Sequence, residues 1–327
     1  MKKRKSLLDK FKRMDLFSWI LYIVVVVWVI TMLYMLYFAF INSLKYFTDF
    51  KLNENVFGFP TPKGDGMAKQ WGWKFEYYIN IFRPVIKGVT DQPTKRELFN
   101  YFRAPVNVIG QSQRYAYIYE LFFNSIVYAV LMTLCSIATE VMVAYCCAKY
   151  DFKLGKVYYA VGVIVMLIPI VGSLASEIRF ADIFNLENSV LGVCILKCKY
   201  PGLYFLVFYA TFKSLSSTYM EAAELDGAGH FQIFWQIMFP LVRASTFAIF
   251  ILLFITNWND YYTPLVFLSG KPVMSYALYR LQFNTQGGTN DAHRLAACIC
   301  SAVPIVILFV VFRNKIMGNV TMGGIKG

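Results

Sequence analysis

The chain is poor in charge and poorer still in acid. Only 16% of its 327 residues are charged, and 19 Asp plus Glu face 32 Lys plus Arg, a formal charge of +13. A soluble domain carries about 25% charged and about 45–50% apolar residues. At 58% hydrophobic and 18% aromatic, this sequence lacks the polar side chains that a water-facing surface needs. Intrinsic disorder, a coiled coil and an ordinary soluble enzyme are excluded. Histidine is nearly missing: His230 and His293 stand alone, neither near a cysteine pair, so no zinc site is expected. The cysteines (Cys135, Cys146, Cys147, Cys194, Cys198, Cys298 and Cys300) lie in or beside apolar runs. None falls in the polar stretch 42–120, where a secreted domain would place disulfides, so they read as small buried apolar side chains. A phosphate-binding loop is missing too. The Gly-Lys pairs, Gly155-Lys156 and Gly270-Lys271, are followed by Val and Pro and lack the upstream Gly of G-x-x-x-x-G-K-[ST]. No Ser/His/Asp, Cys/His or metal constellation converges, and no repeat is visible. No catalytic residue, metal or cofactor is assigned to this chain.

What remains is an integral membrane protein. Behind the basic start MKKRKSLLDKFKR, residues 18–41 run 24 positions without a charge. A signal peptide has an apolar region of only about 7–15 residues and a small-residue cleavage site. This run reads as a retained transmembrane helix. Five further apolar segments are placed near 121–148, 157–176, 190–213, 244–267 and 292–313. Backbone polar groups in hydrocarbon must be paired within the segment, so these are predicted helices.

Six spans put both termini on one side, and the basic residues say which. Fifteen of the 32 lie on the tail 1–17, the short segments 149–156 and 213–243, and the tail from Arg313; six lie on the short opposite loops. The termini are therefore expected in the cytoplasm. Residues 42–120 form a polar extracytoplasmic insertion with Trp71, Trp73, Tyr77 and Tyr78. It is expected to be a small compact cap, since about 80 structureless residues would be improbable. Its aromatics suit either sugar stacking or a small core with an interfacial belt.

Between spans four and five lies a segment too polar to span and too apolar to be a free loop. Thr218 and Glu221 have the spacing of a capping box, which predicts a helix from Tyr219 to Asp226. Gly227 and Gly229 break it. A second helix is predicted from His230 to Phe239, with Pro240 opening the next span. This cytoplasmic helix–turn–helix needs something to dock on.

Here the sequence resembles the permease subunits of binding-protein-dependent ABC importers. Their pattern of E-A-A, three residues, G, nine residues, I, one residue and L-P is met by Glu221, Ala222, Ala223, Gly227, Ile237 and Pro240, with Phe239 in place of Leu. The extended E-A-A-x-x-D-G-A, Glu221 to Ala228, looks like the sugar-importer branch. Asn124-Ser125 at the opening of span two, Trp258-Asn259-Asp260 in span five and the Gly-rich end from Gly318 to Gly327 resemble its maltose-type subunit. The likeness covers about 121–327 and the first span, not 42–120.

The resemblance implies an all-α membrane protein with the type I ABC importer permease fold, six transmembrane helices and an insertion between helices 1 and 2. The segments would be a basic tail 1–17, helix 18–41, the insertion 42–120, a five-helix core 121–313 with a coupling helix within 214–243, and a tail 314–327. It also implies that Glu221, Ala222, Ala223, Asp226 and Gly227 couple to a cytoplasmic ATPase and that Gly323, Gly324 and Lys326 of the tail touch it. The implied partners are a second permease, two ATPase subunits that hold ATP and Mg, an extracytoplasmic binding protein and lipid, with no nucleic acid.

Polar groups inside a span invite a functional reading. Asn257, Trp258, Asn259 and Asp260 in span five suit a sugar path or interhelical glue. Glu140 lies in span two, towards its cytoplasmic end. Lys197 and Lys199 suit snorkelling to the outer interface or an anionic sugar path. The expected cargo is carbohydrate, an oligosaccharide first. A polyol, glycerol phosphate or amino-acid-like solute is the near alternative, and a non-transporting receptor or scaffold the distant one.

Overall fold

The computed structural model of the chain describes residues 15–45, 57–60, 75, 78, 105–106, 114–115, 118–167, 172–197, 202–283 and 291–320. The chain divides into two compact units, Met1–Pro84 with Thr285–Cys300, and Val85–Asn284 with Ser301–Gly327. Most of the expected outer insertion, including Trp71, Trp73 and Tyr77, lies outside the described residues, as do Lys199, Gly323, Gly324 and Lys326.

The first unit holds helix α1 (Leu16–Ser43). Its apolar side chains run all round the helix, and they are exposed except near its end, where Ile41, Asn42 and Ser43 are buried. A helix of this length, apolar on every face, suits a hydrocarbon surround. Thr31 is accommodated there because its hydroxyl donates to the Val27 carbonyl at 2.9 Å. The polar end is tied down by the Ser43 hydroxyl, which bonds that of Tyr78.

In the second unit a short antiparallel pair, β1 (Pro105–Val106) and β2 (Arg114–Tyr115), precedes the long helix α2 (Ile118–Lys149). No Gly or Pro interrupts α2, and its buried residues recur at helical spacing: Leu121, Ser125, Tyr128, Met132, Ile137, Val141, Ala144. It is the central post of the unit. Helices α3 (Lys153–Leu167), α4 (Leu174–Ile183), α5 (Val190–Lys197) and α6 (Leu203–Ser214) follow. Then come α7 (Thr218–Leu225), α8 (His230–Ile233), a π-helical turn (Phe234–Met238), α9 (Phe239–Asn259), α10 (Tyr262–Phe267) and α11 (Met274–Phe283). The last helix, α12 (Asp291–Val320), runs through the boundary between the units and carries Pro304 inside it.

Among the described residues four helices are long and apolar enough to cross a membrane: Leu16–Ser43, Ile118–Lys149, His230–Asn259 and Arg294–Arg313. They match expected spans one, two, five and six. The expected third span is met by α3, whose 15 residues fall short of the roughly 20 a crossing needs. Residues 168–171 beyond it are outside the described part. The expected fourth span is not one described helix but two, α5 and α6. The sequence carries Pro201 between them, and proline lacks an amide donor and disfavours a helical residue before it.

The joint before span five also differs from expectation. The second helix of the helix–turn–helix does not stop at Phe239 but continues into α9. Phe239 donates its amide to the Phe234 carbonyl, five residues back, and the widened turn carries the chain past Pro240. The missing proline amide then falls in the first turn of α9, where it costs little.

The α4–α5 hairpin is locked onto the turn after α10. Asn188, at φ 56°, donates its amide to the Phe267 carbonyl at 2.8 Å. Its side-chain Oδ1 accepts from the Ser269 hydroxyl at 3.0 Å and the Gly270 amide at 2.8 Å. Gly192 permits the hairpin to close: a Cβ there would lie 2.3 Å from the Leu186 carbonyl oxygen. Gly192→Ala is expected to destabilise the purified protein by about 1–3 kcal/mol through this overlap. A thermal melt in detergent checks it, and an unchanged midpoint refutes the close contact.

Candidate functional site: the coupling element and the end of span five

The element between α6 and α9 is built on α7. Its C-terminus is closed by two bonds, Ala228 N–H to the Ala223 carbonyl at 3.0 Å and Gly227 N–H to the Glu224 carbonyl at 3.0 Å. This is a Schellman closure, which needs a left-handed residue after the cap. Gly227 supplies it at φ 80°. The glycine of the motif therefore sets the turn, as expected. The expected Thr218–Glu221 capping box is not formed. Thr218 is already the first residue of α7, and its amide is taken by the Ser216 hydroxyl at 3.2 Å. A hydroxyl two residues upstream reaches that amide directly, and Glu221 is left exposed.

The two motif alanines part company. Ala222 is exposed, whereas Ala223 is buried in the core with Met220. The small side chain at 223 thus lets α7 approach its own protein, and the one at 222 leaves room outside. Thr218, Tyr219, Ala222, Asp226 and Ile237 line a shallow cleft of about 530 Å³ on this face, with Ala223 at its floor. Glu221, Asp226 and Gly227 are exposed around it. Leu225 beside them is 89% exposed, which a docking partner would relieve.

The end of span five is arranged otherwise than the sequence suggested. Asp260 is not within the helix but follows its last residue, Asn259. Its Oδ1 accepts from the amides of Tyr262 and Thr263 at 3.0 and 3.1 Å, capping α10. Its Oδ2 accepts from the Tyr128 hydroxyl of α2 at 2.8 Å. Trp258 is buried, and its indole N–H donates to the Ser301 carbonyl at 3.2 Å. Asn257 donates to the Thr133 hydroxyl at 3.0 Å. Asn259 alone of the four is exposed, though its amide already donates to the Ile255 carbonyl at 2.9 Å.

Asn124 and Ser125 do not open span two; α2 starts at Ile118. They hold the chain ahead of α11: Asn124 donates to the Pro272 carbonyl at 3.0 Å, and the Ser125 hydroxyl accepts from the Met274 amide at 2.7 Å. Lys197 is half-shielded and ion-paired with Glu177, its ammonium 5.3 Å from the Phe267 ring centroid. Glu140 lies beside Gly202, where a Cβ would sit 3.7 Å from its Oε1. Sequence reasoning passed over Tyr128 and Tyr145 because a tyrosine in an apolar run carries no local signal of its partner. Among the described residues no group of three His, Cys, Asp or Glu is placed to hold a metal.

Comparison with known proteins agrees with this class of architecture. Residues 140–317 match the family described as binding-protein-dependent transport system inner membrane component. The stretch holds α7 and the end of span five. The chain belongs to that family. It is 30% identical over 207 residues to the arabinooligosaccharides transport system permease protein AraQ of Halalkalibacterium halodurans, covering 63% of this chain and 74% of that one. It is 26% identical over 208 residues to the melibiose/raffinose/stachyose import permease protein MelC of Bacillus subtilis, covering 63% and 75%. The sn-glycerol-3-phosphate transport system permease protein UgpE of Yersinia pestis is 26% identical over 196 residues, covering 59% and 69%. Among solved structures, a chain of a bacterial ABC transporter involved in import of the acidic polysaccharide alginate superposes with a TM-score of 0.67 at 18% identity, covering 94% of this chain and 98% of that one. At that identity the likeness speaks for the fold.

The bonding of span five makes a prediction. Asp260→Ala should lower stability by about 1–3 kcal/mol, through loss of a cap and a buried tie, and Asn259→Ala should change it by far less. Thermal melts of both variants in detergent check the contrast. Equal midpoints refute the structural role of Asp260.

Proposed function

We propose that this chain is one permease half of an ATP-driven importer for carbohydrate, an oligosaccharide first. The observation that carries the reading is the exposed face of α7: Glu221, Ala222 and Asp226 beside a cleft, behind a helix end shaped by Gly227. It is a docking surface on a chain with no phosphate-binding loop of its own. The ATPase that docks there holds ATP and Mg. A second permease completes the pathway, and an extracytoplasmic binding protein delivers the solute. Glu221 makes the polar contact with the ATPase, and the tail residues Gly323, Gly324 and Lys326 reach it as well. Six spans, cytoplasmic termini, the insertion at 42–120 and the core 121–313 complete the arrangement. The basic tail before span one and the short basic segments support that orientation.

The names of AraQ and MelC support an oligosaccharide cargo. UgpE keeps glycerol phosphate as the rival. The pairing of Lys197 with Glu177 favours the sugar, because that lysine's charge is already balanced within the chain. Of the span-five residues, exposed Asn259 is the one best placed to meet a passing solute, while Asn257, Trp258 and Asp260 serve the path by holding its wall.

Two measurements test the reading. Glu221→Lys should abolish co-purification of the ATPase and leave membrane insertion intact. Normal co-purification would sink the docking assignment. Titration of the cognate binding protein with arabino-oligosaccharides, raffinose and glycerol 3-phosphate should give heat with a sugar. Binding of the phosphate ester alone would overturn the carbohydrate cargo.

A further inference from the structure

An ATPase docked on α7 acts on the pathway only through the spans, and the contacts of α7 bear on which span takes up its motion. Helix α7 is covalently continuous with α6 before it and with α8 and α9 after it. Apart from Glu224, whose carboxylate lies 4.0 Å from His230 of α8, its side-chain ties point elsewhere. Only Met220 and Ala223 of α7 are buried, so a push through side chains must pass through these two. The Met220 sulfur accepts from the Tyr145 hydroxyl of α2 at 3.9 Å. The strand of chain entering α7 is held at the Leu215 carbonyl by the Lys149 ammonium, at 2.6 Å. The chain leaving it is held at His230, whose Nδ1 lies 3.1 Å from the Tyr150 hydroxyl. All three ties therefore start from residues 145–150, the last turn of α2 and the residue after it. Tyr145 and Lys149 are four apart and share a face.

Tyr145 sits at the centre. It is buried, and its ring centroid lies 4.9 Å from that of Phe234, 5.5 Å from Phe212 and 5.7 Å from Tyr150. Phe212 ends the helix before α7, and Phe234 opens the π-helical turn after it. A ring packed at interior density against all these elements transmits displacement instead of absorbing it. The π-helical turn adds a compliant joint between α8 and α9, so the covalent route into span five is the softer of the two.

We infer that Tyr145 is a positioning residue that couples the cytoplasmic helix to span two, so that α2, more than the helices joined covalently to α7, takes up its motion. This rests on the transport reading above.

The test uses the whole complex, with its ATPases and second permease, in lipid discs. Spin labels at Leu134 of α2 and Leu252 of α9, both exposed, are introduced in place of the native cysteines' reactivity, those being changed to Ser. Trapping with ATP, Mg and vanadate should shift the distance between the labels in the otherwise wild-type complex. Tyr145→Ala should keep the ATPases bound and hydrolysing ATP yet lose the shift, with uptake per ATP reduced roughly ten-fold. Tyr145→Phe, which keeps the ring, should retain it. A full shift with Tyr145→Ala overturns the inference. Should that variant not assemble, Tyr145→Leu, which removes the ring but fills more of its space, decides: a diminished shift supports the inference, an undiminished one overturns it. Absence of any shift in the wild-type complex would take down the transport reading and this inference together, whereas a shift kept in every variant removes the inference alone.

Discussion

A hydrocarbon layer offers no partner to a hydrogen-bonding group, and the folded chain is organised around that constraint. The backbone meets it by being helical. The polar side chains of the spans meet it by bonding backward to their own helix: Thr139 to the Cys135 carbonyl, Thr246 to Val242, Thr256 to Leu252, Asn259 to Ile255. Others bond across, Ser125 while also bonding back to the Leu121 carbonyl, and these are the informative ones. Tyr128, Thr133, Asn124 and Ser125 of α2 each bind a group belonging to a later part of the chain. An apolar helix in lipid gains little from burying itself against another apolar helix, so such bonds and close ring packing decide which helices stay together.

This gives α2 two different ends. Towards its start it clamps the turn after span five and the chain before α11 through Asp260, Pro272 and Met274. Towards its finish it grips the coupling element through Tyr145, Lys149 and Tyr150. The first set is hydrogen bonds from short side chains and Tyr128, and the second adds close ring packing around Tyr145 to hydrogen bonds from Tyr145, Lys149 and Tyr150. Rigid holding at one end and packed contact at the other are what a lever requires. The Asn188 lock and the Lys197–Glu177 pair give the α4–α5 hairpin a comparable hold on the turn after α10.

Much of the functional surface was legible without coordinates. The spacing of Glu221, Ala222, Ala223, Gly227, Ile237 and Pro240 marks the family's segment around α7, and the Schellman closure at Gly227 gives the physical reason for that glycine. The long apolar runs at 18–41, 121–148 and 292–313 are helices with shifted ends, and that at 244–267 is α9 followed, past Asp260, by the short α10. Other readings failed where a local pattern had a stronger competitor. The Thr218–Glu221 spacing lost to the nearer Ser216 hydroxyl. The 190–213 run is mostly apolar, with Lys197, Lys199 and Pro201 inside it, and is met by two described helices. Asp260 looked like a polar group inside a span because its neighbours are apolar, yet it stands just past the helix end, where a carboxylate caps the next one.

The sequence by itself determined that this is a membrane chain, where four of its long helices run, where its basic residues gather, and that a polar segment with the E-A-A…G spacing stands before span five. These follow from composition and from spacing within a few turns, which a linear text records. Only the tertiary structure decided what each polar residue in the spans is for. Trp258 and Ser301, Asp260 and Tyr128, Tyr145 and Met220 are distant in the chain, and a side chain in lipid shows its role only through the partner it finds.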